Sequence, residues 1–223
     1  MYIIDFDNTI FNTHTDPGNF VEMRAKALAE LGVSEELFKE TSRQIQTPFG
    51  TGKVFYTSER HAEAIAEHGF NKQQVYDALH TTMGESLQQY LFPDAINFLQ
   101  SLKATDKPMI LFSFGDPEWQ YEKVKGCDIE KYFDRTFFTN KSKAEVVHQL
   151  LASVKHSEVW FINDKVEETQ KVVAAFPEIK AVLKISCNNS LVDYKNSGLP
   201  YFKTLTGIRD YILEKISLQD KKS

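Results

Sequence analysis

Met1-Tyr2-Ile3-Ile4-Asp5-Phe6-Asp7-Asn8-Thr9-Ile10-Phe11 is the stretch whose reading decides the fold. Four residues suited to a buried strand run straight into two carboxylates one residue apart. Strand side chains alternate in direction, so a simple continuation puts Asp5 and Asp7 on one face. Where the strand gives way to a loop, both converge just past its carboxyl end, the place where open α/β sheets hold ligands. Two acids at such a point repel one another, and a hard cation such as Mg²⁺ is the usual means of holding them together. The plainer alternative is a strand followed by an Asx-type turn, which Asp and Asn also favour.

Working outward, the 223 residues suffice for one large domain or a core with an inserted smaller one. Hydrophobic residues make up 42%, including 17 Phe and 9 Tyr, which excludes a disordered chain. A net charge of −5 without basic runs argues against nucleic acid or an anionic membrane as partner. Cys127 and Cys187 stand in no metal or redox spacing and read as reduced thiols. No signal peptide and no long apolar segment is evident, so a cytoplasmic location is expected.

After Phe11 the sequence turns helical. His14 to Gly18 is loop chemistry, and apolar residues then recur at Phe20, Met23, Ala27 and Leu31, with Gly32 as a stop. Ser34 is placed to cap the next helix through Leu37, Phe38 and Ile45. Further helices are expected from Ser58 to His68 and from Asn71 to about Tyr90. Four helices with short joints form a helical module, residues 14–91, inserted in a core of residues 1–13 and 92–223. Thr47-Pro-Phe-Gly-Thr-Gly-Lys53 superficially suggests a phosphate-binding loop, but Thr47 stands where the first Gly is needed and Val54 where Ser or Thr is needed. It reads as an inter-helix loop, either a plain connector or one reaching over a site.

From Phe92 the pattern alternates helix and strand. Met109–Ser113, Thr136–Thr139, Val159–Ile162 and Ala181–Ile185 are strand-like. Helices are expected over 95–102, 121–132, 144–154, 167–176 and 208–216. Ser113 closes one apolar run, Lys143 opens a helix, and Asn163-Asp164 ends another strand with Glu168 four residues on. Parallel strands place these groups on the edge that carries Asp5 and Asp7. Carboxylates, a hydroxyl and an ammonium gathered there suit phosphoryl transfer through an aspartyl-phosphate. The six histidines show no metal spacing and read as surface or cap residues.

The series Asp5-Phe6-Asp7-Asn8-Thr9, then Ser113, then Lys143 with Lys141 as a competitor, then Asn163-Asp164 with Glu168, resembles the four motifs of the haloacid dehalogenase superfamily. Asn163 departs from that pattern, which has Asp or Gly there. The resemblance implies a Rossmann-like parallel α/β core with an inserted helical-bundle cap. It implies Asp5 as nucleophile and Asp7 as acid and base. It also implies Ser113 and Lys143 on the phosphoryl oxygens, Mg²⁺ held by Asp5, Asp7 and Asp164, and Asn163 and Glu168 in support. The expected activity is Mg²⁺-dependent hydrolysis of a small phosphorylated metabolite. The alternatives are a phosphomutase and a binding scaffold, and Asp7 argues against dehalogenation. In this architecture the cap sets specificity, and Phe49 and Lys53 are its candidates.

Overall fold

The computed structural model describes residues 1–46, 55–84, 86–139, 143–151 and 158–220, without the side chains of 46, 143–145, 219 and 220. The readings of Phe49 and Lys53 therefore lie outside the described residues, and Lys143 is placed by its backbone alone.

Among the described residues six strands form one parallel sheet: β1 (Tyr2–Ile4), β2 (Met109–Phe114), β3 (Arg135–Thr139), β4 (Trp160–Asn163), β5 (Lys180–Lys184) and β6 (Tyr201–Phe202), in the order β3-β2-β1-β4-β5-β6. β1 is central because nothing in it is polar enough to face water: Tyr2, Ile3 and Ile4 are all fully buried. Alternation along the strands feeds two cores. Tyr2, Ile4, Leu111 and Ile162 belong to one, and Ile3, Ile110, Phe112 and Phe161 to the other. Ile4 pairs with Leu111 on one side and Ile162 on the other. That register makes Asp5, Ser113 and Asp164 leave the same edge of the sheet.

Among the described residues four helices follow β1 in sequence: α1 (Phe20–Ala29), α2 (Glu35–Gln46), α3 (Ser58–Ala66) and α4 (Lys72–Gly84). They have a core of their own built from Leu28, Val33, Phe38, Ala62, Ile65, Val75 and Leu79. The remaining helices cover the sheet: α5 (Ala95–Lys103), α6 (Pro117–Gly126), α7 (Lys143–Leu151), α8 (Val166–Ala175), α9 (Leu191–Asn196) and α10 (Leu205–Asp220).

Several elements differ from the sequence reading. The helix expected to reach Tyr90 stops at Gly84, and Leu87–Tyr90 forms a separate 3₁₀ turn that buries Leu87 and Tyr90. The helix expected from Tyr121 begins at Pro117, because the Asp116 side chain caps it by accepting from the Trp119 N–H and Pro117 suits the first turn. It ends at Gly126, shortly before Asp128 takes a left-handed backbone at φ +53°. α9, held by a Ser190–Asp193 capping box, and the two-residue β6 were not foreseen. In α1 the buried face is Phe20, Arg24 and Leu28 rather than Phe20, Met23, Ala27 and Leu31, and Leu31 is exposed.

Candidate active site

Past β1 the chain turns sharply. The N–H groups of Ile10 and Phe11 both return to the Phe6 carbonyl, and Asn8 takes a left-handed conformation, φ +59°, which Asn tolerates better than most residues. The Asn8 carboxamide oxygen accepts from the His14 N–H and the Thr15 hydroxyl, which ties the next loop to the turn. Asp5 is buried, its backbone N–H bonded to the Ile162 carbonyl and its Oδ2 accepting from Thr9 Oγ1 at 2.9 Å.

Asp7 faces the same space and is clamped. Its Oδ1 accepts from Lys123 Nζ at 2.5 Å and from Thr13 Oγ1 at 2.5 Å, while Oδ2 accepts from Gln120 Nε2 at 2.8 Å. Burial pushes the Asp7 pKa up, but the Lys123 charge and the three donors outweigh it and hold the carboxyl below its ordinary range. The Lys123 side chain is only 3% exposed. Gln120 can reach Asp7 because position 115 is glycine. Gly115 has φ +152°, and a Cβ there would lie 2.7 Å from Gln120 Nε2.

Ser113 is buried at the end of β2, and its Oγ has no hydrogen-bond partner among the described residues. Asp164 sits at the end of β4, fully buried, with Oδ2 accepting from Ser186 Oγ at 2.9 Å and Asn188 Nδ2 at 2.6 Å. Asn163 donates to Thr169 Oγ1 at 3.1 Å. Glu168 pairs with Lys165 at 3.2 Å. Lys143 begins α7. Among the described residues no three His, Cys, Asp or Glu side chains gather as a metal cluster.

Asp5, Asp7 and Ser113 open onto one cavity of about 580 Å³, whose other walls include α1, α2, α6 and the segment just before α3, with Phe20, Arg24, Phe38, Tyr56 and Trp119 among them. Sequence reading brought Asp5, Asp7 and Ser113 to this space and Asp164 to the neighbouring strand end. It missed Thr13, Gly115, Gln120, Lys123, Ser186 and Asn188. The three-residue spacing of Gln120 and Lys123 on one helix face was the available signal for that pair. A helix that begins only at Tyr121 leaves Gln120 outside it and the spacing unread.

The helical side of the cavity has a polar network. Arg24 donates to the Leu79 carbonyl, Thr82 Oγ1, Tyr56 Oη and Ser58 Oγ. Since Arg24 can only donate, Tyr56 gives its own proton to His61 Nδ1 at 2.8 Å. His61 then carries its proton on Nε2, 2.9 Å from Thr41 Oγ1 and 3.2 Å from the Phe38 carbonyl oxygen. His61 is thus a buried network residue, not the surface or cap residue read from sequence. Burial first, then the Arg24 charge, pushes its pKa down to about 4. The folded protein therefore binds this proton more weakly than the unfolded chain does. The neutral ring's contribution, at most about 3 kcal/mol, is fully present above the ordinary value near 6.5 and is lost as pH falls toward about 4. Thermal melts from pH 7 to 4 should show a steeper loss for the native protein than for His61→Gln, which does not titrate. Parallel curves would show that His61 carries no such linkage.

Residues 1–170 match the family model for haloacid dehalogenase-like hydrolases. The chain belongs to that family. Comparison with curated protein sequences gives no match. Among solved structures, a dehalogenase with an intermediate complex is similar at TM-score 0.67 and 15% identity, over 93% of this chain and 94% of that one. A Thermotoga maritima protein provisionally assigned as a β-phosphoglucomutase gives 0.67 and 16%, over 96% and 98%. A Bacillus subtilis HAD-type hydrolase, YfnB, provisionally assigned and bound to magnesium, gives 0.65 and 12%, over 94% and 96%. At these identities the likeness is one of fold. Among the described residues of this HAD-like hydrolase, no helix is long and apolar enough to cross a membrane.

Proposed function

We propose that this HAD-like hydrolase is a phosphatase that cleaves a small phosphorylated metabolite through a phosphoryl group carried on Asp5. The observation that carries the reading is the clamped Asp7 carboxylate, which opens onto the same cavity as Asp5. Water must clear the intermediate on Asp5 after displacement at carbon or at phosphorus, but an alkoxide leaving phosphorus takes up a proton that a departing halide does not need. Hydrolysis of an aspartyl-phosphate also needs a base for the attacking water. Asp7 is held in its ionised, proton-accepting form, which suits that second half-reaction. Asp5 attacks phosphorus without first losing a proton. The buried Ser113 hydroxyl supplies a donor for a phosphoryl oxygen, and Lys143, at the start of α7, is the residue proposed to supply the charge.

The donors at the strand ends are hard oxygens: two carboxylates on neighbouring strands, with the Asn163 amide beside them. That chemistry fits Mg²⁺, which takes few protein oxygens and keeps several waters. Asp5, Asp164 and the main-chain carbonyl of Asp7 would hold it, with Asn163 and Glu168 as neighbours that orient the set. When bound, the ion offsets the charge of the phosphoryl group. Residues 14–91 are proposed as the cap that covers the leaving group.

The test is release of inorganic phosphate from an aryl phosphate and from a panel of phosphorylated sugars, nucleotides and short acids. Turnover should require Mg²⁺, disappear with EDTA and return when Mg²⁺ is restored. Full activity in metal-free buffer would remove the metal from the reading. A fully folded protein inert on the whole panel would leave a binding scaffold.

A further inference from the structure

Arg24 is the most unusual charge in the molecule. It is 1% exposed, and its partners are one carbonyl and three hydroxyls, all neutral. Its Nε–H has no acceptor among the described residues. No carboxylate among those residues forms an ion pair with it. Its guanidinium lies 4.7 Å from the Trp119 ring centroid, 5.3 Å from Phe20 and 5.6 Å from Tyr56, so water is largely replaced by rings.

A buried ion without a counter-charge is costly even when its hydrogen bonds are met. The neutral acceptors fix the direction of the guanidinium and join α1 to α3 and α4, but they do not neutralise it. A purely mechanical brace between helices would need donors, not a charge. Arg24 also lines the cavity onto which Asp5 and Ser113 open. Charge in such a low-dielectric, aromatic-walled space acts more strongly than it would in water.

We propose that Arg24 selects the leaving group, accepting substrates whose leaving group carries an anionic group of its own, a carboxylate or a second phosphate. The proposal rests on the phosphatase reading above. It assigns the two ends of the cavity to the two ends of one substrate, with the phosphoryl group at Asp5 and Ser113 and the anionic tail toward Arg24.

Three esters of similar size separate the possibilities: 2-hydroxyethyl phosphate with a neutral tail, phosphoglycolate with a carboxylate and ethylene glycol bisphosphate with a second phosphate. Binding is measured calorimetrically on Asp5→Asn in Mg²⁺ buffer, so that turnover does not enter. At least one anionic-tailed ester should bind roughly 10-fold or more tightly than the neutral one, and the tighter of the two identifies the tail. Arg24→Met should equalise the esters, while Arg24→Lys should keep most of the preference. Equal binding of all three esters, or no binding of the anionic-tailed pair, overturns the proposal, and this comparison needs no Arg24 variant to fold. A folded Arg24→Met that keeps the preference also overturns it. Turnover of the same esters by the native enzyme is scored separately. If none is hydrolysed, and the wider panel of phosphorylated compounds is not hydrolysed either, while the binding preference stands, the phosphatase reading falls and the anion subsite remains.

Discussion

Asp5→Asn is expected to lower kcat for a phosphomonoester by roughly 10⁴-fold or more while leaving the protein folded. The substitution removes the nucleophilic charge at nearly constant volume, and an amide oxygen is a far weaker nucleophile than a carboxylate. The surroundings tolerate the change: the Thr9 hydroxyl that donates to Oδ2 still finds an amide oxygen there. Losing one of two neighbouring carboxylates also relieves like-charge repulsion, so the melting temperature should hold or rise. The check is kcat by phosphate release beside a thermal melt of the same preparation. Residual turnover above about 1% of the native rate would remove Asp5 from the nucleophile's role.

How readily each part of this site could be read depended on how local its cause is. Tyr2-Ile3-Ile4 could become a central strand because its apolar run needs no distant partner to explain it. Ser113 and Asp164 followed from the same logic, since each ends an apolar strand and parallel register carries both to one edge. Whether Lys123 faces Asp7 depends on where α6 begins. The cap made by Asp116 and Pro117 starts α6 early enough to include Gln120, and only then do Gln120 and Lys123 share a face toward Asp7. Arg24 was hidden by its type. A charged residue within a helix normally takes the solvent face, and the apolar periodicity of the sequence runs through Met23 and Ala27 instead. Ser186 and Asn188 could not be foreseen at all. Their link to Asp164 spans more than 20 residues and leaves no local pattern.

Lys123→Met should cost about 3 kcal/mol of stability, because it leaves the Asp7 carboxylate facing a largely buried environment without its cation. For a chain of this size that corresponds to a fall in Tm of roughly 6–12 °C. Methionine approximates the length of the lysine stem, so most of the packing is retained, although the ammonium's contacts with the Phe6 and Phe11 rings, at 5.3 and 5.7 Å, are lost. Turnover should fall on the order of 10²-fold as well, since among the described residues Asp7 keeps only Thr13 and Gln120 to fix its direction. Asp7→Asn alone should be destabilising for the reciprocal reason, a buried ammonium left without its anion. The double variant Asp7→Asn/Lys123→Met removes both charges and should recover much of the lost stability, giving a large coupling energy in the double-mutant cycle. Recovery without return of activity identifies the pair as an electrostatic clamp on a group the reaction needs. If the double variant melts as low as the worse single variant, the loss comes from packing around the lysine stem, and the charge of Lys123 does not hold Asp7 in place.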